Sequence, residues 1–301
     1  MDPAVRGALE TTAKRYFDLA ARGDSAALQQ NSIPAVAANF GSIETAVKDN
    51  QPVFSGAQVT VRTVFQLTVE GNEPVARAEF LCGVFGKSGQ TADSAVFVLN
   101  NLPPGKYGVA ILDVRGAQEA RTLTLILQQI GFDWKLGGFY ARTAQVNGHD
   151  GAWFAQRARD FKLKGQARNA WLYYREAIAL SAPVDFMSTQ ATDRLYDEMQ
   201  SAQPVDLPMN GNTADLVAVT KTYKLTDIFP LGVGSDLDVV VKYQAADVSD
   251  TAATYQENQA VTKALIAKFP EFRDAFAGVV VRAVEPSGRD YGSLVGMKDV
   301  K

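Results

Sequence analysis

Apolar residues recur at helical spacing from the start of the chain. Val5, Leu9, Ala13, Tyr16, Phe17 and Ala20 fall on one face of a 3.6-residue period. Asp2 is placed to cap this helix, Pro3 suits its first position, and Gly23 closes the run. Asp24 caps a predicted second helix through Leu28, and Ser42 a third over about residues 43–50. The period then changes to two. In residues 58–69 Val59, Val61, Phe65, Leu67 and Val69 alternate with mostly polar neighbours, which predicts a half-buried strand. Residues 75–85 alternate again, with Ala76, Ala78, Phe80, Cys82 and Val84 on one face. Turns at 70–73 and 86–89 flank that strand, and 92–99, 107–114, 121–128 and 134–143 read as four more. Helices followed by an antiparallel meander predict an α+β layer, with the helices on one face of a curved sheet. In the last strand, strict alternation puts Trp134, Leu136, Gly138 and Tyr140 on one face. Lys135, Gly137, Phe139 and Ala141 take the other. Gly137 and Gly138 permit a bend, a bulge or the close approach of another backbone.

The run YFDLAARGDSAAL (16–28), the long strands after it and the closing WKLGGFY (134–140) resemble the NTF2-like (cystatin-like) superfamily. The resemblance covers residues 3–146. An insertion around residues 101–105 and an extra strand depart from the usual pattern. The resemblance implies a conical pocket between helices and sheet, with Tyr16, Phe17, Trp134, Phe139 and Tyr140 as its lining. Ordinary packing between helix and sheet accounts for the same five residues. Enzymes of this fold place an aspartate with a histidine or tyrosine inside the cone, which makes Asp18 and Asp113 the candidate bases here.

Residues 147–203 carry helical periods. Ala155, Ala158, Phe161, Gly165, Ala170, Tyr174 and Ala177 match a tetratricopeptide-like helix pair, with Gly165 at the turn and Pro183 ending the second helix. A further helix spans about 189–200. About three such repeats are needed for an independent array, so this pair reads as a connector packed on a neighbour rather than a peptide-binding groove. Residues 203–212 have linker composition. Beyond them, strands at 216–228 and 237–243, a helix from Asp250 or Thr251 to Lys268, and strands at 278–284 and 291–297 predict a small β-β-α-β-β domain. The expected organisation is an NTF2-like domain over 1–147, a helical connector over 148–203 and an α+β domain over 204–301.

Composition narrows the chemistry. A chain of 301 residues fits two or three domains, and 47% hydrophobic with 21% charged residues supports packed cores. The net charge is −3 and no Lys/Arg run exists to grip phosphates, which argues against nucleic acid. One cysteine and one histidine exclude an intrachain disulfide, a thiolate cluster and a His–His metal site. No apolar run reaches the ~18 residues of a membrane span, and no secretory signal opens the chain. Two locations stand: an exported periplasmic or envelope-attached bacterial protein with its signal removed, which a lone cysteine favours, or a cytoplasmic one.

Several motifs carry possible chemistry. SDLDVVV (235–241) looks like the second half of a nucleotidyltransferase motif, with Asp236 and Asp238 at i, i+2 able to hold Mg²⁺. The Gly-Ser turn expected about ten residues upstream is missing, and a turn before a strand explains the same aspartates. His149 and Asp150 form a possible base and orienting carboxylate, although Asp150 also suits the cap of a helix at Gly151. Cys82 lies on the apolar face of its strand and reads as a buried thiol. The glycines at 86–89 and 232–234 are too short for phosphate loops. Arg157, Arg159, Lys162, Lys164, Arg168 and Arg175 read as a solvated helix face. The leading expectation is a non-enzymatic binding or assembly protein with a protein partner or a small hydrophobic ligand, and with no cofactor or metal. An acid–base enzyme acting through Asp18 or Asp113, or a nucleotidyltransferase acting through Asp236 and Asp238, are the other two readings.

Overall fold

The structure is a computed structural model. It describes residues 1–300 apart from Ser88, Gln118, Asn210, Thr220, Gly234 and Ser235. In chain order its elements are α1 (Pro3–Ala21), α2 (Ser25–Gln30), α3 (Pro34–Ala38), α4 (Gly41–Phe54), β1 (Gln58–Val69), β2 (Val75–Gly86), β3 (Gly89–Leu102), β4 (Gly105–Arg115), β5 (Ala120–Ile130) and β6 (Asp133–Thr143). Then come β7 (Gln145–Val146), β8 (His149–Asp150), α5 (Gly151–Leu163), α6 (Ala167–Ser181), β9 (Met187–Thr189), α7 (Gln190–Gln200), β10 (Ala214–Val217), β11 (Thr222–Val233), β12 (Asp236–Gln244), α8 (Thr251–Lys268), β13 (Gly278–Val284) and β14 (Asp290–Gly296). The class is mixed α+β. Two compact units emerge: Met1–Gln145 with Leu180–Arg194, and Val146–Ala179 with Leu195–Lys301.

Local signals shape the first helices as expected. The Asp2 carboxylate accepts from the Ala4 N–H at 2.7 Å, and α1 buries Leu9, Ala13, Tyr16, Phe17 and Ala20. Asp24 caps α2 through the Ala27 N–H at 3.0 Å. The third predicted helix differs at both ends. It starts at Gly41 with no side-chain cap, so Ser42 lies inside it, and it runs through Pro52 to Phe54. Pro52 sits in the final turn, where its missing N–H costs a single backbone bond.

The expected single meander is corrected. β1, β4, β5 and β6 form one antiparallel sheet in that order, and β2, β3 and β9 form another. β1 therefore pairs with β4 and not with β2. The reason lies in β4, which is apolar on both faces and so needs two covers. Ala110, Leu112 and Val114 pack in the core with Leu9, Tyr16, Val47 and Phe54 of the helices. Tyr107, Val109 and Ile111 pack with Ala95 and Phe97 of β3 and Met187 of β9. The first unit thus has three layers: helices, a four-stranded sheet and a three-stranded sheet.

In the second unit the Asp150 carboxylate accepts from the Trp153 N–H at 3.0 Å and caps α5. Gly165 turns the chain between α5 and α6 with φ 75°, a value that favours glycine. The C-terminal sheet has the order β10-β11-β12-β13-β14, with β12 and β13 parallel and α8 connecting them. The strand expected over 216–228 is broken. β10 ends at Val217, the Ala218 N–H donates to the Lys221 carbonyl at 3.0 Å, and β11 begins at Thr222 as the return arm of a hairpin. α8 buries Val261, Leu265 and Ile266, and also Thr254, Asn258 and Thr262. Those polar groups are satisfied: Tyr243 Oη donates to Asn258 Oδ1 at 3.0 Å, Asn258 Nδ2 donates to the Val281 carbonyl, and Thr262 Oγ1 donates to the Asn258 carbonyl.

Candidate functional site

Four of the five predicted pocket residues come together, and they fill the space they were expected to line. Tyr16, Phe17, Trp134 and Phe139 are buried in one cluster. Tyr16 Oη lies 2.8 Å from the Trp134 carbonyl and 3.1 Å from that of Asn31, so its proton is used within the chain. Phe54, at the end of α4, closes the centre. It is fully buried, with its ring centroid 5.5 Å from Phe17 and 6.4 Å from Phe139. The sequence carried a signal for Phe54 only in its distance past Pro52, beyond the predicted helix end.

Tyr140 is not part of that cluster, and a β-bulge explains why. In the β5–β6 ladder Leu127 opposes Leu136 while Ile126 opposes Gly138, which leaves Gly137 unpaired. The extra residue reverses the alternation beyond it. Phe139 joins Trp134 and Leu136 on the helix-covered face, contrary to strict alternation, and Tyr140 turns to the other face. There Tyr140 is 42% exposed and meets Phe186 edge-on at 5.4 Å. A Cβ on Gly138 would come within 2.9 Å of the Tyr140 ring, so the second glycine makes room for a side chain and not for a backbone.

The candidate bases are accounted for elsewhere. Asp18 is exposed on α1. Asp113 is held by Arg62, whose Nε donates to it at 3.0 Å and whose Nη2 makes a shorter contact. Arg62 lies at a bulge in β1, between Val61 and Thr63. His149 stacks flat on Trp153 at 3.8 Å, and its neighbour Asp150 is occupied as a helix cap. Cys82 is half-buried, and burial pushes its thiol up, away from the reactive thiolate. Asp236 is exposed while Asp238 is buried. Burial first, then the Asp236 charge, raise Asp238 from its ordinary value and disfavour its ionised form. No group of three His, Cys, Asp or Glu among the described residues is placed to hold a metal ion. Gly234, Ser235 and the Ser88 of the 86–89 turn lie outside the described residues.

The basic residues on α5 and α6 are more engaged than a solvated face. Arg168 pairs with Asp206 and Glu271, and Arg159 pairs with Glu198. Arg175 lies over the Trp171 ring at 4.9 Å and donates to the Ile228 carbonyl, and burial lowers its basicity.

A different place is open. Between the β10–β11 turn and the outer side of α8 lies a groove of about 710 Å³, lined by Val217, Ala218, Val219, Ala260, Ala264 and Ala267, with Lys263 and Lys268. Val217 and Val219 are exposed. The alanines at 260, 264 and 267 follow helical spacing on the side of α8 away from Val261, Leu265 and Ile266. Lys268 Nζ donates to the Asp215 carbonyl at 2.9 Å. Lys263 makes no ion pair among the described residues. The described lining therefore offers aliphatic surface and two ammonium groups. Sequence pattern did not find this groove, because its two walls are over forty residues apart and alanine carries little periodic signal.

Among the described residues, no helix is long and apolar enough to cross a membrane. No protein-family model matches the chain, no curated protein matches it, and no solved structure matches it.

Proposed function

We propose that this chain is a non-enzymatic binding or assembly protein whose ligand site is the aliphatic groove beside α8. The observation that carries the reading is the groove itself: about 710 Å³ of Val and Ala surface with Lys263 and Lys268 as its only charged lining residues. A site of that size, apolar with few polar groups, suits a small hydrophobic ligand. The two ammonium groups favour one with a negatively charged end. Two further expectations stay with this proposal. The NTF2-like resemblance of the first unit is supported by α1 and α4 covering one face of the β1-β4-β5-β6 sheet. An envelope location is supported by composition and the single cysteine.

The test uses the full chain, the fluorescent probe 1-anilinonaphthalene-8-sulfonate, and dodecanoate as competitor. The probe should bind and dodecanoate should displace it. Ala264→Trp fills the groove and should weaken both by at least about tenfold, a loss of about 1.4 kcal/mol. Lys263→Gln combined with Lys268→Gln should weaken dodecanoate and spare dodecanol. A chain whose probe binding is unaltered by Ala264→Trp does not use this groove.

A further inference from the structure

The three-stranded sheet of the first unit ends in an open edge. Its order is β2-β3-β9, and β2, twelve residues long, has no strand on its outer side among the described residues. Open edges are templates for pairing, and natural chains usually shorten, bulge or charge them. β2 is regular only in part. Pro74 precedes it and has no N–H to continue a ladder. At the other end the register shifts between Gly83 and Phe85. Gly83 itself has φ 87°. β2 keeps one register with β3 from Val75 to Gly83, and within it the extended stretch Val75–Leu81 is centred on Ala78.

The inner face of that stretch carries Ala76, Ala78 and Phe80, of which Ala78 is buried and Phe80 packs against the core while Ala76 is exposed. The outer face carries Val75, Arg77, Glu79 and Leu81. Leu81 is 65% exposed, and the side chains of Arg77 and Glu79 are 67% and 52% exposed and only 4.0 Å apart as a loose pair. An exposed pair of this kind contributes little on its own.

We infer that the β2 edge pairs antiparallel with the β2 edge of a second copy of this chain, about a two-fold axis through Ala78. This register is self-complementary. Val75 lies opposite the partner's Leu81, Arg77 opposite the partner's Glu79, and each contact occurs twice. On the inner side Ala78 meets the partner's Ala78, which allows close approach. Residues directly opposite each other in an antiparallel ladder must share a face, so the axis can move only by whole residues. Moving it to Arg77 sets arginine on arginine, and moving it to Glu79 sets glutamate on glutamate, both of which oppose pairing. Moving it to Phe80 places Glu79 opposite the partner's Leu81 and Arg77 opposite the partner's Gly83. Of these registers, the one centred on Ala78 sets each charge opposite its counter-charge. The interface is isologous, as a closed two-fold dimer requires. It does not depend on the groove beside α8, and failure of ligand binding there leaves it unaffected.

The experiment is the mass of the full chain by sedimentation equilibrium over a concentration series, with circular dichroism to check the fold of each variant. The native chain should form a dimer. Arg77→Glu places like charges across the axis twice and should raise the dissociation constant by at least about tenfold. The double change Arg77→Glu with Glu79→Arg restores opposite charges in the same register and should restore the dimer. A native chain that is monomeric throughout overturns the proposal. So does a dimer indifferent to Arg77→Glu, which has its interface elsewhere, or a folded double variant that stays monomeric.

Discussion

The two units each lay helix on sheet, yet they pack the layer between with different side chains and leave different outer faces. In the first, α1 and α4 bring Tyr16, Phe17 and Phe54 onto Trp134 and Phe139, and the layer closes with rings. In the second, α8 sends Thr254, Asn258 and Thr262 inward beside Val261, Leu265 and Ile266, with Asn258 held to Tyr243 and β13 by hydrogen bonds and the two threonines bonded to carbonyls one turn back. Its other side carries alanines, and there the groove remains. Both helix–sheet layers are packed; the room for a ligand lies outside the second one, where small side chains on α8 face the turn that follows Val217. Rings filled the place where the resemblance implied a pocket; alanines left one where no motif pointed.

The contrast can be broken most directly at Phe54. Phe54→Ala removes the ring that closes the first layer and should cost about 3–5 kcal/mol in urea unfolding. A loss under about 1 kcal/mol would mean that the layer is loosely packed and the contrast false. Next in size is an effect of pH on the second unit. Burial raises Glu176 to about 7, offset in part by the Arg175 charge. A carboxyl raised in the fold contributes stability that is complete below its ordinary value of 4.5 and is lost as pH rises through about 7. Stability should therefore fall across that window by up to about 3 kcal/mol. Glu176→Gln should flatten the slope, and an unchanged slope would locate the titration in another group. Asn258→Ala removes the 3.0 Å acceptor of the Tyr243 hydroxyl and a side-chain donor to the Val281 carbonyl and should cost about 1–3 kcal/mol, read by the same unfolding curves. A neutral result would show that the buried polar network of the α8 layer is not what holds it. Smallest is Ala264→Trp, which adds a ring to an open groove and should change stability by no more than about 0.5 kcal/mol. A large destabilisation there would mean that the groove is packed core.

Legibility followed the range of the interactions. The Asp2, Asp24 and Asp150 caps, the Gly165 turn and the strands from β4 to β6 were read correctly, since each depends on neighbours within a few residues. The site was legible only as a list of aromatics. Four of the five do cluster, but whether they line a space or fill it depended on Phe54, which lies 37 residues from Phe17 in sequence and beyond the predicted helix end near residue 50. Asp113 stood as a candidate base through the resemblance, and the Arg62 that holds it is 51 residues away.

What the amino-acid sequence determined by itself was most of the elements, α3, β9 and the β10–β11 break excepted: their periods, their caps, and the glycines where the chain must turn. Tertiary structure decided the rest. It chose β4 over β2 as the partner of β1, because β4 needs cover on both faces. It absorbed Gly137 as a bulge, and so exchanged the faces of Phe139 and Tyr140. It broke the expected long strand at Val217 and opened a groove against α8. The physical reason is the same each time. Periodicity and capping are properties of a few adjacent residues, whereas register, pairing and empty volume are settled by what packs against them from elsewhere in the chain.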